Sequence, residues 1–162
     1  MLISFRSFAK NWIDTYAKVE LKPSTLNSYQ SIINKHFIRL FGDFLLSEIT
    51  IERLRKYKSD RLLSAQPKTV LNEQVLLKKM FKHAVEWGYL KNSPTDDVER
   101  PRVEKKEMEI LNPEEIKRLL SCSDEPYATL FLTGIQTGMR RGEILGGKGG
   151  GKVQRKNGGL KV

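Results

Sequence analysis

The amino-acid sequence predicts an all-α chain. Two observations predict it. Apolar residues recur three and four positions apart from Phe5 to Val85, and the segments they define open on Ser, Thr, Asn or Pro and close on Gly or Pro. With 162 residues, the chain has room for one medium domain or for one small domain and part of another.

The first helix is expected over residues 4 to 19. Phe5, Phe8, Ala9, Trp12, Tyr16 and Val19 form its apolar stripe, with Arg6, Lys10, Asp14 and Lys18 on the other side. A core stripe is a sufficient account of those aromatics. The second helix, KPSTLNSYQSIINKHFIRLFG, opens at Pro23 and closes at Gly42, with Leu26, Tyr29, Ile33, Phe37 and Leu40 on one face. Its opposite face holds Ser24, Ser28, Ser31, Lys35 and Arg39. Small hydroxyl residues near a helix start allow close approach to phosphates, and an ordinary solvated face fits that helix equally well.

GDFLLSEI reads as a loop with apolar anchors. Thr50 then caps a third helix that turns Ile51, Leu54 and Tyr57 inward and Arg53, Arg55, Lys56 and Lys58 outward. Gln66-Pro67 separates it from a fourth helix, which runs to Trp87 and stops at Gly88. Val70, Leu77, Phe81, Ala84 and Val85 form the buried side of this helix. Lys68, Asn72, Lys79, Lys82 and Glu86 fall along one line on the other. Asn bonds base edges bidentately and Lys neutralises phosphate, so that line has the chemistry to meet a duplex.

The charge agrees. Lys and Arg number 29 against 19 Asp and Glu, a net +10 that favours a polyanionic partner, nucleic acid first. The surplus is concentrated in residues 1 to 100 and in the last seventeen positions, whereas residues 101 to 145 are close to neutral. The lone Cys122 excludes an internal disulfide. His36 and His83 have no Cys, His or acidic neighbour at ligand spacing, so no metal or cofactor is expected. The N-terminus lacks a signal-peptide core, and the uncharged run that ends at Met139 is too short for a bilayer, so the reading is a cytoplasmic chain with no membrane partner.

From Asn92 to Met108 the text is charged and proline-bearing, which marks a linker drawn at 99–110. A new helix opens cleanly, with Asn112 as N-cap, Pro113 at the first position and Glu115 closing a capping box; Ile116, Leu119 and Leu120 follow. A further apolar helix near Pro126 to Gln136 leads to TGMRRGEIL, Thr137 to Leu145. Arg140, just after a glycine turn at a helix start, presents a planar fork of donors suited to a phosphate.

In this order KPSTLNSY, FGDFLLSEIT, AVEWGYLKNSP, ILNPEEIKRLL and TGMRRGEIL resemble the tyrosine recombinases, the phage-type integrases, over residues 4 to 145. The resemblance implies a four-helix SAM-like core-binding domain at 1–98, followed by the first helices of a truncated catalytic domain at 111–145. It implies double-stranded DNA as partner, with other recombinase subunits a second expectation. Arg140 would be the first phosphate-binding arginine, and Glu143 a helix-supporting acid. DNA would meet Lys22, Ser24, Thr25, Ser28 and Lys35 on the second helix and Lys68, Thr69, Asn72, Lys79 and Lys82 on the fourth.

The family's nucleophilic tyrosine, lysine and His-x-x-Arg pair all follow the first arginine. The 17 residues after Leu145 contain no Tyr, His or Trp, so this chain alone is expected to be inactive. His36-Phe37-Ile38-Arg39 lies too far upstream to be that pair. GGKGGGK spells a P-loop, but Val153 replaces its hydroxyl residue. The tail 146–162 holds seven of 12 glycines and reads as an interrupted reading frame or a cloning scar, expected to be disordered. Three functions remain open: a DNA-binding fragment, a recombinase completed in trans, or a regulator that occupies recombination sites.

Overall fold

The computed structural model describes residues 2–104 and 107–146. The Gly/Lys tail beyond Gly146, with its P-loop lookalike, lies outside the described residues. The chain divides into two compact units, Met1–Lys105 and Lys106–Val162.

In the first unit α1 runs through Phe5–Trp12, a π turn at Ile13–Ala17 and Lys18–Glu20. Ser4 Oγ caps it, accepting from the Ser7 N–H at 3.2 Å. The second helix, α2, repeats this construction: Pro23–Ile32, a π turn at Ile33–Phe37, then Ile38–Phe41. A π turn takes roughly one extra residue, so every side chain after it is rotated by about 100° from where an unbroken α-helix would put it. That rotation overturns two core assignments. Val19 is 72% exposed while Ala17 is fully buried, and Leu40 is 49% exposed while Phe41 takes the core position.

The loop after α2 folds back on the start of α1. Phe5 N–H donates to Phe44 O at 2.8 Å, Arg6 N–H to Gly42 O at 3.0 Å, and Leu46 N–H to Ile3 O at 3.0 Å. Gly42 has φ −52 and is therefore no left-handed cap. Its reason is close approach: a Cβ there would collide with Ile38 O and stand 3.1 Å from the Arg6 guanidinium. A short 3₁₀ turn at Leu46–Glu48 buries Leu46.

The third helix, α3, spans Ile51–Ser64 with Thr50 as its cap, and α4 spans Pro67–Glu86. Gly88 ends the run at φ +76, a conformation in which a Cβ would be strained. Phe5 stands at the junction, with ring centroids 6.4, 6.0 and 6.3 Å from Phe37, Phe41 and Phe81. Tyr57 of α3 meets Phe37 and Phe41 edge-on at 5.9 and 5.7 Å. Four helices thus share one aromatic core.

The charged text from Asn92 onward begins as packed structure. Thr95 is buried, Val98 packs on the core, Asp96 pairs with Lys78 at 3.0 Å, and Lys58 Nζ donates to Glu99 O at 3.1 Å. The binary pattern hid this because the burial rests on a threonine hydroxyl and one valine.

In the second unit α5 is Pro113–Ser121, α6 is Tyr127–Thr137 and α7 is Arg141–Gly146. The capping box at the start of α5 is complete: Asn112 Oδ1 accepts from Glu115 N–H at 2.9 Å, and Glu115 Oε2 accepts from Asn112 N–H at 2.8 Å. No described residue of this unit is fully buried.

Candidate nucleic-acid interface

Helix α4 has two chemically distinct faces. Val70, Leu76, Leu77, Met80, Phe81 and Ala84 are buried. Opposite them, at three- and four-residue spacing, lie Lys68, Asn72, Val75, Lys79, Lys82 and Glu86. Lys68, Asn72 and Lys82 are exposed, and Thr69 beside Lys68 is exposed as well. Lys79 is only half exposed, because its Nζ stands 4.8 Å over the Tyr16 ring of α1. Lys82 faces Glu86 at 3.6 Å, so part of its charge is already answered.

On α2, Lys22, Ser24, Ser28 and Lys35 are exposed and Thr25 is half-buried. Ser28 Oγ donates to Ser24 O at 3.0 Å. Lys22, before Pro23, and Gln66, before Pro67, are both extended and supply no side-chain cap.

The structure does not bring all these residues to one spot. Trp12 lies 6.3 Å from Tyr29 of α2 and 6.0 Å from His83 of α4, whereas His36 Nε2 is 3.8 Å from Glu73 Oε1. Contacts in that opposed order mean that α2 and α4 run antiparallel. The start of α2, with Lys22 to Ser28, is therefore level with the last turn of α4, just past Lys82. Lys35 is level with the earlier half of α4.

A buried network holds α4 in place. Glu73 is 2% exposed. Its carboxylate accepts from Arg61 Nε at 3.0 Å, Arg61 Nη2 at 2.7 Å and Tyr57 Oη at 2.6 Å. Burial works to raise its pKa; the Arg61 and Tyr57 hydrogen bonds and nearby His36 outweigh burial and hold it below the usual carboxylate range. Burial and the adjacent carboxylate push the Tyr57 hydroxyl well up. Sequence reasoning missed this network, although an acid at the phase of Val70, Leu77 and Met80 was a readable signal. It missed Val75, Lys78 and Arg100 too, which with Gln74, Lys79 and Lys82 frame a shallow cleft along α4.

The His-x-x-Arg lookalike is structural in character: His36 faces Glu73, and Arg39 is exposed elsewhere on α2. His83 Nδ1 accepts from Trp12 Nε1 at 2.8 Å. Among the described residues no cluster of three His, Cys, Asp or Glu could hold a metal ion, and no helix is long and apolar enough to cross a membrane.

In the second unit Gly138, at φ +69, ends α6. Arg140 follows with its side chain 87% exposed. Its backbone N–H donates to Glu143 Oε2 at 2.8 Å, and its Nη1 stands 3.5 Å from Glu143 Oε1. Glu143 thus fixes the turn that presents Arg140.

The first unit is thus a four-helix domain with a line of basic and amide side chains along the exposed face of α4. Residues 4–60 match the phage integrase N-terminal SAM-like domain, and the chain resembles an N-terminal portion of a tyrosine recombinase. A Haemophilus influenzae protein named as an integrase/recombinase is 32% identical over 112 residues, covering 61% of this chain and 31% of that protein. A shufflon-specific DNA recombinase of Escherichia coli is 31% identical over 149 residues, covering 82% and 38%. The chain spans about a third of the length of the curated relatives it matches. Among solved structures, a lambda integrase dimer bound to a COC′ core site superposes with a TM-score of 0.75 at 19% identity, covering 88% of this chain and 41% of that one.

Proposed function

We propose that this chain is the DNA-binding portion of a site-specific tyrosine recombinase, and that duplex DNA lies along α4. The observation that carries the reading is the line of Lys68, Asn72, Lys79 and Lys82 opposite a fully buried face, on a helix clamped by the Glu73 network. The start of α2, with Lys22, Ser24, Thr25 and Ser28, would meet the backbone at the Lys79–Lys82 end, and Lys35 further along. On this reading residues 1–98 are the core-binding domain and 111–145 the opening of a catalytic domain. Arg140 would grip a phosphate there, and other recombinase subunits would be its partners in the assembly. A protein acting on DNA in this way works in the cytoplasm.

The test is binding to random duplex DNA over a salt series, for the chain and for a variant with Lys68, Asn72, Lys79 and Lys82 all changed to Ala. Neutralising ~5 phosphates gives a slope of log K against log salt of about −4 to −5. A clearly flatter slope in the variant, with the same helical circular dichroism, places DNA on α4. An unchanged slope removes it from there.

A further inference from the structure

Val75 is the one large apolar side chain on the outer line of α4, and it is 50% exposed. It lies one turn after Asn72, on the same face, with Lys79 one turn further on. Nothing in the core calls for an apolar residue at that place, because the buried face of α4 is filled on its far side by Leu76, Leu77 and Met80. A solvated face would be as stable with any polar helix former there.

Resting on the reading that DNA lies along α4, we propose that Val75 determines specificity by contacting the 5-methyl group of a thymine, on the base pair next to an adenine held by Asn72. Chemistry and spacing agree on this. Asn pairs bidentately with adenine N6 and N7, and an apolar side chain packs on the thymine methyl, both in the major groove. Three residues advance the helix by about 4.5 Å, close to the 3.4 Å or so between successive bases on a strand. Two side chains so spaced reach neighbouring base pairs. Lys79 and Lys82 flank Val75 on the same stretch of helix, while Lys78 beside it is paired with Asp96, so phosphates can be held by the first two while the methyl group is covered.

The probes are an alternating d(AT) duplex and the same duplex with every thymine replaced by deoxyuridine, which keeps Watson–Crick pairing and deletes only the methyl groups. The wild-type chain should bind the thymine duplex about three- to five-fold more tightly, the scale of burying one methyl-sized group. Val75→Ala, an exposed change to a better helix former, should bind both duplexes equally with its salt slope unchanged. Equal binding by the wild type overturns the inference, and so does a preference that survives in Val75→Ala, because the difference then belongs to the DNA. If both duplexes bind and Lys68→Ala or Lys82→Ala weakens both, the DNA reading stands whatever the thymine ratio shows. If neither duplex binds at low salt, that reading falls and this inference with it.

Discussion

Trp12 donates its indole N–H to Nδ1 of His83 at 2.8 Å, tying the middle of α1 to the last turns of α4. Because Nδ1 accepts, the imidazole is neutral with its proton on Nε2, which lies 3.9 Å from Glu86 Oε2. Tyr16 meets the same ring edge-on at 4.4 Å, and Trp87 stacks on it at 5.6 Å. Tyr16 also holds Lys79. The aromatic group thus sets where the basic line of α4 sits on the core.

Protonating His83 puts a second donor against the Trp12 N–H. Burial lowers the imidazole pKa, Glu86 opposes that shift, and Lys79 and Lys82 add to it, so the folded value lies below 6.5. The unfolded chain therefore takes up this proton first as the pH falls. Stability from this site is fully present above 6.5 and is lost as the pH drops through the folded value. Urea midpoints measured at pH 7.5 and pH 5.5 should fall for the wild type, and fall less for His83→Gln, which cannot titrate. Equal losses in the two proteins would place the pH dependence elsewhere.

The Glu73 network carries the larger single-residue penalty. Arg61→Ala leaves a buried carboxylate without its bidentate partner and should cost about 3–5 kcal/mol. Changing Arg61 and Glu73 together to Met should cost clearly less than the two single changes added, because no unpaired charge remains. The folded pKa of Glu73 is depressed, so its stabilisation is present above about 4.5 and disappears as the pH falls through the lower folded value. Chemical denaturation of Arg61→Ala, Arg61→Met, Glu73→Met and the double variant, with the wild type followed into acid, decides the matter. Additive losses would mean that Arg61 and Glu73 do not act as a pair.

The two π turns make a prediction that a straight reading of the sequence reverses. Val19→Asp and Leu40→Asp should each change stability by less than about 0.5 kcal/mol. Ala17→Asp should be severely destabilising, and Phe41→Ala should cost about 3–5 kcal/mol. Thermal melts of the four variants separate the two phases. Most of α1 and α2 was legible: Phe5, Phe8, Trp12, Ile33 and Phe37 are buried at the expected phase. What failed was extrapolation beyond residues 17 and 37, where the π turns end, since periodicity assumes a constant turn and nothing in the side-chain pattern announces an inserted residue. The caps were legible because they are local chemistry: Thr50, Asn112, Gly88 and Gly138 act through their own backbone neighbours. On α4 the polar line could be read and its apolar member could not. A two-letter pattern assigns every valine to the core, whereas Val75 is defined by the polar neighbours around it.

The second unit should open far more readily than the first. With no fully buried residue among 107–146, its helices depend on local terms rather than on a core, and short isolated helices are marginal in water. Amides of α5 and α6 should exchange orders of magnitude faster than those of Leu76 to Ala84 in α4, where opening requires loss of the aromatic core. Asn112→Ala removes half of the capping box, worth about 1 kcal/mol. It should therefore speed exchange in the first two turns of α5 by roughly five-fold while leaving α4 untouched. Amide exchange read by NMR tests both statements. Equal protection in the two units would require a buried interface for α5–α7, and an unchanged rate after Asn112→Ala would show that the cap does not hold the helix.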